Sequence, residues 1–351
     1  DWDADGINFN PTLDFTGGGS GEPLDIPNGI MENETKTDMY VYTVCATDLS
    51  IWNSLFWQDL NTTNSNEIFS FIPTFGGGSA YWDNGNNSTG RIVKSSGSDL
   101  GQPYLYSLKS TVGAMEIKRD GNSLGTNSNT GSSTADHITP FYIGYRWDNQ
   151  NNYFDGKLSE LIIYDGVPTS TEEDQIESYL AVKYGITLAS TNYLRSDATV
   201  IWDNSTYSSY HYDIAGIGRD DAQGLHQKQS KSINSDAIVT MSTEAIATTN
   251  AGISTALTDG TYLLWGNDNA SLSDITNDEL PTGYFARINR EWVVEMTGTV
   301  ENVHVEIDIS DFGFLIGDEA SDYYLLKDGD GNFASGATGI AGSTLSGDKV
   351  T

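Results

Sequence analysis

The sequence is poor in the residues that form disulfides, zinc sites and polyanion-binding surfaces. Its 351 residues include one cysteine, four histidines and 17 lysines and arginines, against 49 aspartates and glutamates. The single Cys45 excludes an internal disulfide, and the histidines lie too far apart in sequence to form a common zinc motif. The net charge of −32 argues against binding to nucleic acid or to anionic lipid, because both require a basic surface.

Long apolar runs are also missing, so the sequence predicts no membrane-spanning helix and no direct membrane insertion. The excess of carboxylates suits an extracellular chain that binds Ca²⁺, and it suits equally well a surface that charge merely keeps soluble. Cys45 lies in the alternating segment MYVYTVCAT, where we expect it to be a small buried side chain in a strand.

The residues that are abundant indicate a mainly β protein. There are 37 Gly, 19 Tyr and 8 Trp, and short apolar runs alternate with turns rich in Gly, Asn and Ser, which is typical of sandwiches and barrels. The Asp120–Gly121 pair in EIKRDGNSLG predicts a tight hairpin. Strands are predicted at 39–46, 67–73, 90–94, 104–109, 113–119, 141–145 and 158–164.

A single amphipathic helix is predicted over residues 171–184. Ser170 or Thr171 would cap its start, since an acidic residue follows three positions later in either case. Gly185 stands where a left-handed glycine ends a helix. We expect Ile176 and Leu180 to face the core.

The segment DGKLSELIIYDG…EEDQIESYLAVKYGITL resembles the end of laminin-G-like, concanavalin-A-type jelly rolls in large secreted proteins of marine and gliding bacteria. The resemblance implies a jelly-roll β-sandwich over 1–188, closed by the helix, and a linker at 189–197. The landmarks IAGIGRDD, LLWGNDN, REWVVE and YYLLKDGDGNF resemble a second β-rich module, here 198–351, that follows the first in such proteins. Both modules are expected to lack terminal strands and to adjoin further domains of one long polypeptide.

The function implied is that of a non-catalytic pair of modules in an adhesin at the bacterial cell surface, binding surface glycans or proteins. Two alternatives stay open: an accessory carbohydrate-binding part of a polysaccharide-degrading enzyme, and a purely structural display module. The segment EIDISD at 306–311 nearly copies the E-x-D-x-x-E signature of retaining β-glucanases with the jelly-roll fold. It lies outside the jelly roll and its third acid is Asp311, so we expect no catalysis.

Candidate ligand-binding residues are aromatic side chains that adjoin carboxylates and Asn-rich loops, a combination suited to sugars. They are Trp82, Asp83, Trp147 and Asp148. Candidate calcium ligands stand at alternate positions of acidic segments, so that their oxygens could converge on one ion. The first choice is Asp328, Asp330 and Asn332, and the second is Asp1, Asp3 and Asp5. The simpler interpretations are core aromatics, a plain Asp/Gly/Asn turn and a frayed terminus.

Overall fold

The chain folds into two compact units, residues 1–191 and 192–351, and the division falls within the segment predicted as a linker. The computed structural model describes residues 1–16, 23–30, 35–49, 52–60, 67–75, 78–85, 89–97, 100–135, 138–146, 152–189, 191–312 and 317–351. Each unit is described by itself below.

The first unit is a β-sandwich of jelly-roll type, as predicted. Its strands are β1 (Trp2–Ile7), β2 (Asn10–Phe15), β3 (Leu24–Ile26), β4 (Thr35–Lys36), β5 (Met39–Thr47), β6 (Ser54–Asp59), β7 (Glu67–Phe75), β8 (Ser79–Gly85), β9 (Arg91–Ser95), β10 (Tyr104–Thr111), β11 (Ala114–Arg119), β12 (Asn122–Asn127), β13 (Ser133–Thr134), β14 (Phe141–Ile143), β15 (Tyr145–Arg146), β16 (Asn152–Tyr153) and β17 (Gly156–Asp165). The helix α1 (Ser170–Tyr184) follows them.

Two antiparallel sheets make up the sandwich. A seven-stranded sheet has the order β1-β2-β17-β5-β10-β11-β12, and a six-stranded sheet has the order β3-β14-β6-β7-β8-β9. Asp120 and Gly121 both have positive φ and join β11 to β12, which confirms the predicted hairpin. Side chains from both sheets, among them Val41, Tyr106 and Phe56, fill the core between them.

The helix covers the outer side of the seven-stranded sheet, over β5 and β10. For this reason all nine residues of β5 are buried, Cys45 included. The Ser107 hydroxyl donates to the buried Glu177 carboxylate at 2.7 Å, and Lys109 forms an ion pair with Glu173. The sandwich has two outer sides. The helix α1 covers that of the seven-stranded sheet and does not cover that of the six-stranded sheet.

The helix begins one residue earlier than predicted. Thr169, not Ser170 or Thr171, is the N-cap, and it forms a capping box with Glu172. Gly185 ends the helix in the left-handed conformation, as predicted, with a φ of 67°. Leu180 is fully buried, whereas Ile176 is half-buried. Across the described ranges, no helix has both the length and the apolar character of a membrane span.

The second unit is also β-rich. Its strands are β18 (Tyr193–Leu194), β19 (Val200–Trp202), β20 (Tyr212–Asp220), β21 (Leu225–Gln227), β22 (Gln229–Lys231), β23 (Val239–Ser242), β24 (Tyr262–Asn267), β25 (Ile275–Thr276), β26 (Arg287–Ile288), β27 (Trp292–Thr297), β28 (His304–Asp308), β29 (Tyr324–Lys327), β30 (Thr338–Ala341), β31 (Leu345–Ser346) and β32 (Lys349–Val350). The larger sheets are β21-β20-β24-β27 and β22-β23-β28-β32-β31. Ile217, Met241 and Trp265 belong to the core of this unit.

Candidate ligand-binding face

A row of side chains crosses the outer side of the six-stranded sheet. Tyr142, Trp57, Phe69, Asp83 and Arg91 come from five neighbouring strands, β14, β6, β7, β8 and β9, and each lies directly opposite the next. Residues paired in this way point to the same side of a sheet. Their neighbours along the strands, such as Phe56 and Trp82, point into the core. We call the side that carries this row the outer face.

Aromatic rings continue from this row to one end of the outer face. Phe71 lies opposite Tyr81 in the next row, and Phe75 packs against both, with ring centroids 5.1 Å and 4.9 Å away. Trp52 stacks on Phe75 at 4.9 Å and is 38% exposed. At the other end the rings of Trp57 and Tyr142 stack at 5.8 Å. Trp57, Phe69 and Phe71 are themselves buried, so the outer face exposes Trp52 and parts of the rings of Phe75, Tyr81 and Tyr142.

Arg91 neutralises a carboxylate that is buried in this layer. Its guanidinium donates to both oxygens of Asp83, with N–O distances of 2.8, 2.9 and 2.6 Å. It also lies over the rings of Phe69 and Tyr81, at 5.3 Å and 5.6 Å from their centroids. Burial raises the pKa of Asp83 to about 7, and the hydrogen bonds from Arg91 limit that rise.

Arg146 repeats this arrangement on the other side of Phe69. Its guanidinium carbon lies 4.4 Å from the centroid of Phe69 and 5.6 Å from that of Phe71. It pairs with both oxygens of Glu67, at 3.0 Å and 3.2 Å. The same carboxylate accepts the indole N–H of Trp57 at 2.7 Å. Rings, guanidinium groups and carboxylates thus form one connected layer whose orientation is fixed before any ligand arrives.

Of the predicted ligand-binding residues that the structure describes, Asp83 belongs to the outer face and Trp82 does not. Trp82 is fully buried in the core, so the expectation that its ring is exposed is wrong. The physical reason is strand alternation, because Tyr81 and Asp83 point outward and the residue between them points inward. Asp83 does lie on the outer face, but Arg91 covers it and leaves it fully buried. Trp147 and Asp148 lie outside the described residues.

The first-choice calcium segment is a turn capped by its own side chains. The Asp328 carboxylate accepts the backbone N–H groups of Asp330 and Gly331, both at 2.8 Å, and Asp330 accepts that of Asn332 at 3.0 Å. These hydrogen bonds lower the pKa of Asp328. Within the described residues, no group of three or more His, Cys, Asp or Glu side chains is placed to hold a metal ion. Calcium binding here stays a prediction.

The second-choice calcium segment, which holds Asp1, Asp3 and Asp5, continues into the strand β1, and β1 pairs with β2. Asp3 and Asp5 lie in β1, and the carboxylate of Asp3 forms an ion pair with Lys157 at 2.9 Å. The Asp1 amino group donates to the carbonyl of Asp14 at 2.6 Å. Asp3 is thus paired with a lysine of β17, and calcium binding at Asp1, Asp3 and Asp5 stays a prediction.

The glucanase-like segment 306–311 lies at the end of β28 in the second unit. Glu306 forms an ion pair with Lys349 at 2.7 Å. Asp308 accepts hydrogen bonds from the backbone and hydroxyl of Ser310, and these lower its pKa. The lowered pKa of Asp308 is the opposite of the raised pKa that an acid needs in order to protonate a leaving group.

Three of the four sequence landmarks of the second unit, together with the segment QKQSKSIN at 227–234, meet at one buried carboxylate, which was not predicted from the sequence. Asp213 accepts from the amides of Asn234 at 2.8 Å and Asn267 at 2.7 Å, and Arg290 approaches it at 3.4 Å. These residues adjoin or belong to the IAGIGRDD, QKQSKSIN, LLWGNDN and REWVVE segments. Asp213 lies in β20 with a positive φ of 50°, and the cluster joins it to Asn267 of β24 and to the segments between strands that carry Asn234 and Arg290.

Comparisons with solved structures find similar β-rich proteins at low identity. Domain 4 of AbnA, a GH43 extracellular arabinanase from Geobacillus stearothermophilus in complex with arabinotriose, is 16% identical with a TM-score of 0.39, over 48% of this chain and 76% of that one. Domains LG4-5 of the mouse laminin alpha1 chain are 17% identical with a TM-score of 0.34, over 43% and 40%. A heptameric SAP-like pentraxin from Limulus polyphemus is 17% identical with a TM-score of 0.38, over 57% and 93%. These values do not indicate what this chain binds.

A comparison with curated proteins gives no match. A family model described as "Domain of unknown function (DUF8202)" matches residues 172–351, which is just over half of the chain. The match begins inside α1 and takes in the whole second unit with its Asp213 cluster. By this match the chain belongs to the family of the domain of unknown function DUF8202.

Proposed function

We propose that the first unit is a glycan-binding module and that the outer face of its six-stranded sheet is the binding surface. The observation that carries this proposal is a layer of rings in which Trp52, Phe75, Tyr81 and Tyr142 keep part of their surface exposed, beside two arginine–carboxylate pairs. Pyranose rings stack their C–H faces on aromatic side chains, and their hydroxyls need nearby donors and acceptors. The outer face offers both on a rigid support.

Binding to such an open face is weak for a single sugar chain. A flat surface encloses only one side of the ligand and leaves the other side in water. Useful affinity then requires many copies, as on a cell surface or along a repetitive polysaccharide. This agrees with the proposed place of the chain in an extracellular adhesin at the bacterial surface, among further domains of a longer polypeptide.

We propose further that the module does not catalyse. The pKa of Asp83, at about 7, falls in the range of a general acid. Its side chain is nevertheless fully buried beneath Arg91 and cannot touch a ligand on the outer face. Glu67 is held by Arg146 and by the indole of Trp57. Neither carboxylate is placed to attack or protonate a glycosidic bond.

A glycan array tests the proposal with a matched pair of variants. Trp52→Ala removes an exposed ring from the outer face, and Trp2→Ala removes an exposed ring from the edge of the other sheet. We expect the full chain to bind a set of glycans, Trp52→Ala to reduce binding about tenfold or more, and Trp2→Ala to leave it unchanged. Equal loss in both variants, or no glycan bound, would contradict the proposal. If the chain bound a protein ligand and no glycan, the result would favour an adhesin that recognises proteins and not glycans.

A further inference from the structure

We propose that the outer face selects uncharged glycans and excludes uronates and other acidic sugars, an inference that rests on the glycan-binding function proposed above. Two arginines on a binding surface would ordinarily suggest an anionic ligand, since guanidinium groups recognise carboxylates. Here the geometry points the other way, because each guanidinium group is already paired with both oxygens of one of the protein's own carboxylates.

Arg91 is paired with a carboxylate that is buried in the protein and cannot move into solvent. Three N–O distances of 2.6 to 2.9 Å bind it to both oxygens of Asp83. The side chain of Asp83 is fully buried. An incoming carboxylate that captured Arg91 would leave Asp83 charged and unpaired inside the protein, which is strongly unfavourable.

Arg146 is held through one nitrogen, since its Nη2 donates to both oxygens of Glu67. It pairs with Glu67, whose position is fixed by the indole N–H of Trp57 at 2.7 Å. Its guanidinium carbon lies over the ring of Phe69, 4.4 Å from the centroid, so the charged group also contacts the aromatic layer. A sugar carboxylate would have to compete with Glu67 while lying beside it.

The charges around the row do not favour an anion either. Asp59 lies directly opposite Glu67, and Asp25 lies directly opposite Tyr142. The outer face therefore carries the acids Asp25, Asp59, Glu67 and Asp83 against the bases Arg91 and Arg146. The whole chain carries −32. At physiological salt charges interact over about 8 Å, so an acidic glycan meets repulsion from the surface as well as occupied donors. An uncharged sugar meets neither.

Matched oligosaccharides test the selectivity. Hexasaccharides of β-1,4-mannose and β-1,4-mannuronate, and of β-1,4-glucose and β-1,4-glucuronate, differ only in the group at C6. Titration of the full chain by calorimetry at about pH 8, where Asp83 is ionised, should show binding of at least one neutral member. Its acidic counterpart should bind about tenfold or more weakly. Acidic members that bind as tightly or more tightly would overturn the selectivity while leaving glycan binding intact. Failure of all four, and of every glycan on the array, would overturn the proposed function itself.

One substitution should reverse the preference. Glu67→Gln removes the charge that pairs with Arg146, while the amide oxygen can still accept from Trp57. We expect the affinity for the acidic hexasaccharide to rise about tenfold, with a smaller change for the neutral one. Asp14→Asn, which removes the same charge from the seven-stranded sheet, should leave both affinities unchanged. If the affinity for the acidic hexasaccharide rose equally in both variants, only the net charge of the chain would matter. That result would overturn the assignment of the selectivity to the Arg146–Glu67 pair.

Discussion

Arg91 closes over Asp83 on the outer face of the first unit, with three N–O distances between 2.6 and 2.9 Å and the carboxylate fully buried beneath the guanidinium. The pair joins the last two strands of the six-stranded sheet, because β8 and β9 place the two residues directly opposite each other. Its strength should therefore be visible in the stability of the unit.

Arg91→Met should lower the free energy of unfolding by about 3–5 kcal/mol at alkaline pH, where Asp83 is ionised, because it leaves a charged carboxylate buried without a partner. Adding Asp83→Asn to this variant should recover much of the loss, since the buried charge is then gone. Urea denaturation of the three proteins measures both effects. A double variant as unstable as the sum of the two single variants would show that the two side chains act independently.

The raised pKa of Asp83 predicts a specific pH dependence. The folded value of about 7 lies above the ordinary value of 3.8, so between these limits the folded state binds a proton that the unfolded state does not. Stability from this group is therefore full at about pH 4 and is lost as the pH rises through 7, by at most about 4 kcal/mol. Comparing the pH profiles of wild type and Asp83→Asn isolates the effect, and parallel profiles would contradict it.

The helix should contribute to the stability of the first unit through its buried face. Leu180→Ala should cost about 2–5 kcal/mol, because the side chain is fully buried. Val167→Ala, at an exposed position just before the helix, should change stability by less than about 0.5 kcal/mol. Chemical denaturation compares the two, and equal effects would show that the helix does not hold the sandwich.

Asp213 should be the most sensitive position of the second unit. Asp213→Ala leaves the amides of Asn234 and Asn267 and the guanidinium of Arg290 without their shared acceptor, at a cost of about 3–5 kcal/mol. The control Asp221→Ala removes only an exposed ion pair with Arg219 and should cost less than about 1 kcal/mol. Hydrogen exchange of the β20 and β24 amides reports the difference. Unchanged protection in Asp213→Ala would contradict a structural role for the cluster.

Calcium stabilisation stays a prediction drawn from the acidic composition. A cation that binds only the folded chain raises its melting temperature by mass action. We expect calcium to raise the melting temperature relative to EDTA, and Asp330→Ala to reduce that rise. A melting temperature that EDTA leaves unchanged would contradict calcium binding. A calcium-dependent rise that Asp330→Ala leaves unchanged would contradict the assignment of the site to the segment 328–332.

The local features of the fold could be predicted from the sequence, because they depend on residues close together in the chain. The Asp120–Gly121 hairpin, the helix stop at Gly185 and the burial of Cys45 each follow from a few neighbouring residues. The helix start was misplaced by one position because Thr169, Ser170 and Thr171 are all capping residues.

The outer face could not be predicted in the same way. Its first row brings together β14, β6, β7, β8 and β9, whose order no local pattern encodes. In Tyr81-Trp82-Asp83 the alternation of apolar and polar residues that normally marks the core side is absent, because this sheet is aromatic on both sides. The sequence did contain one indication of this face. Aromatic residues are dense over Trp52–Tyr81, and few buried strands are so rich in them. Likewise the partner of Asp3 is Lys157, a contact that only the sheet order determines.

The most direct test of the account is to map where a glycan touches the chain. N–H resonances of the full chain, including the tryptophan indoles, are followed during titration with the best neutral glycan from the array. The account predicts that the indole signals of Trp52 and Trp57 and the amides of Tyr81, Arg91 and Tyr142 shift with one common affinity, while the indole signal of Trp2 does not move. Shifts confined to the helix side of the first unit, or to the second unit, would contradict the assignment of the outer face as the binding surface.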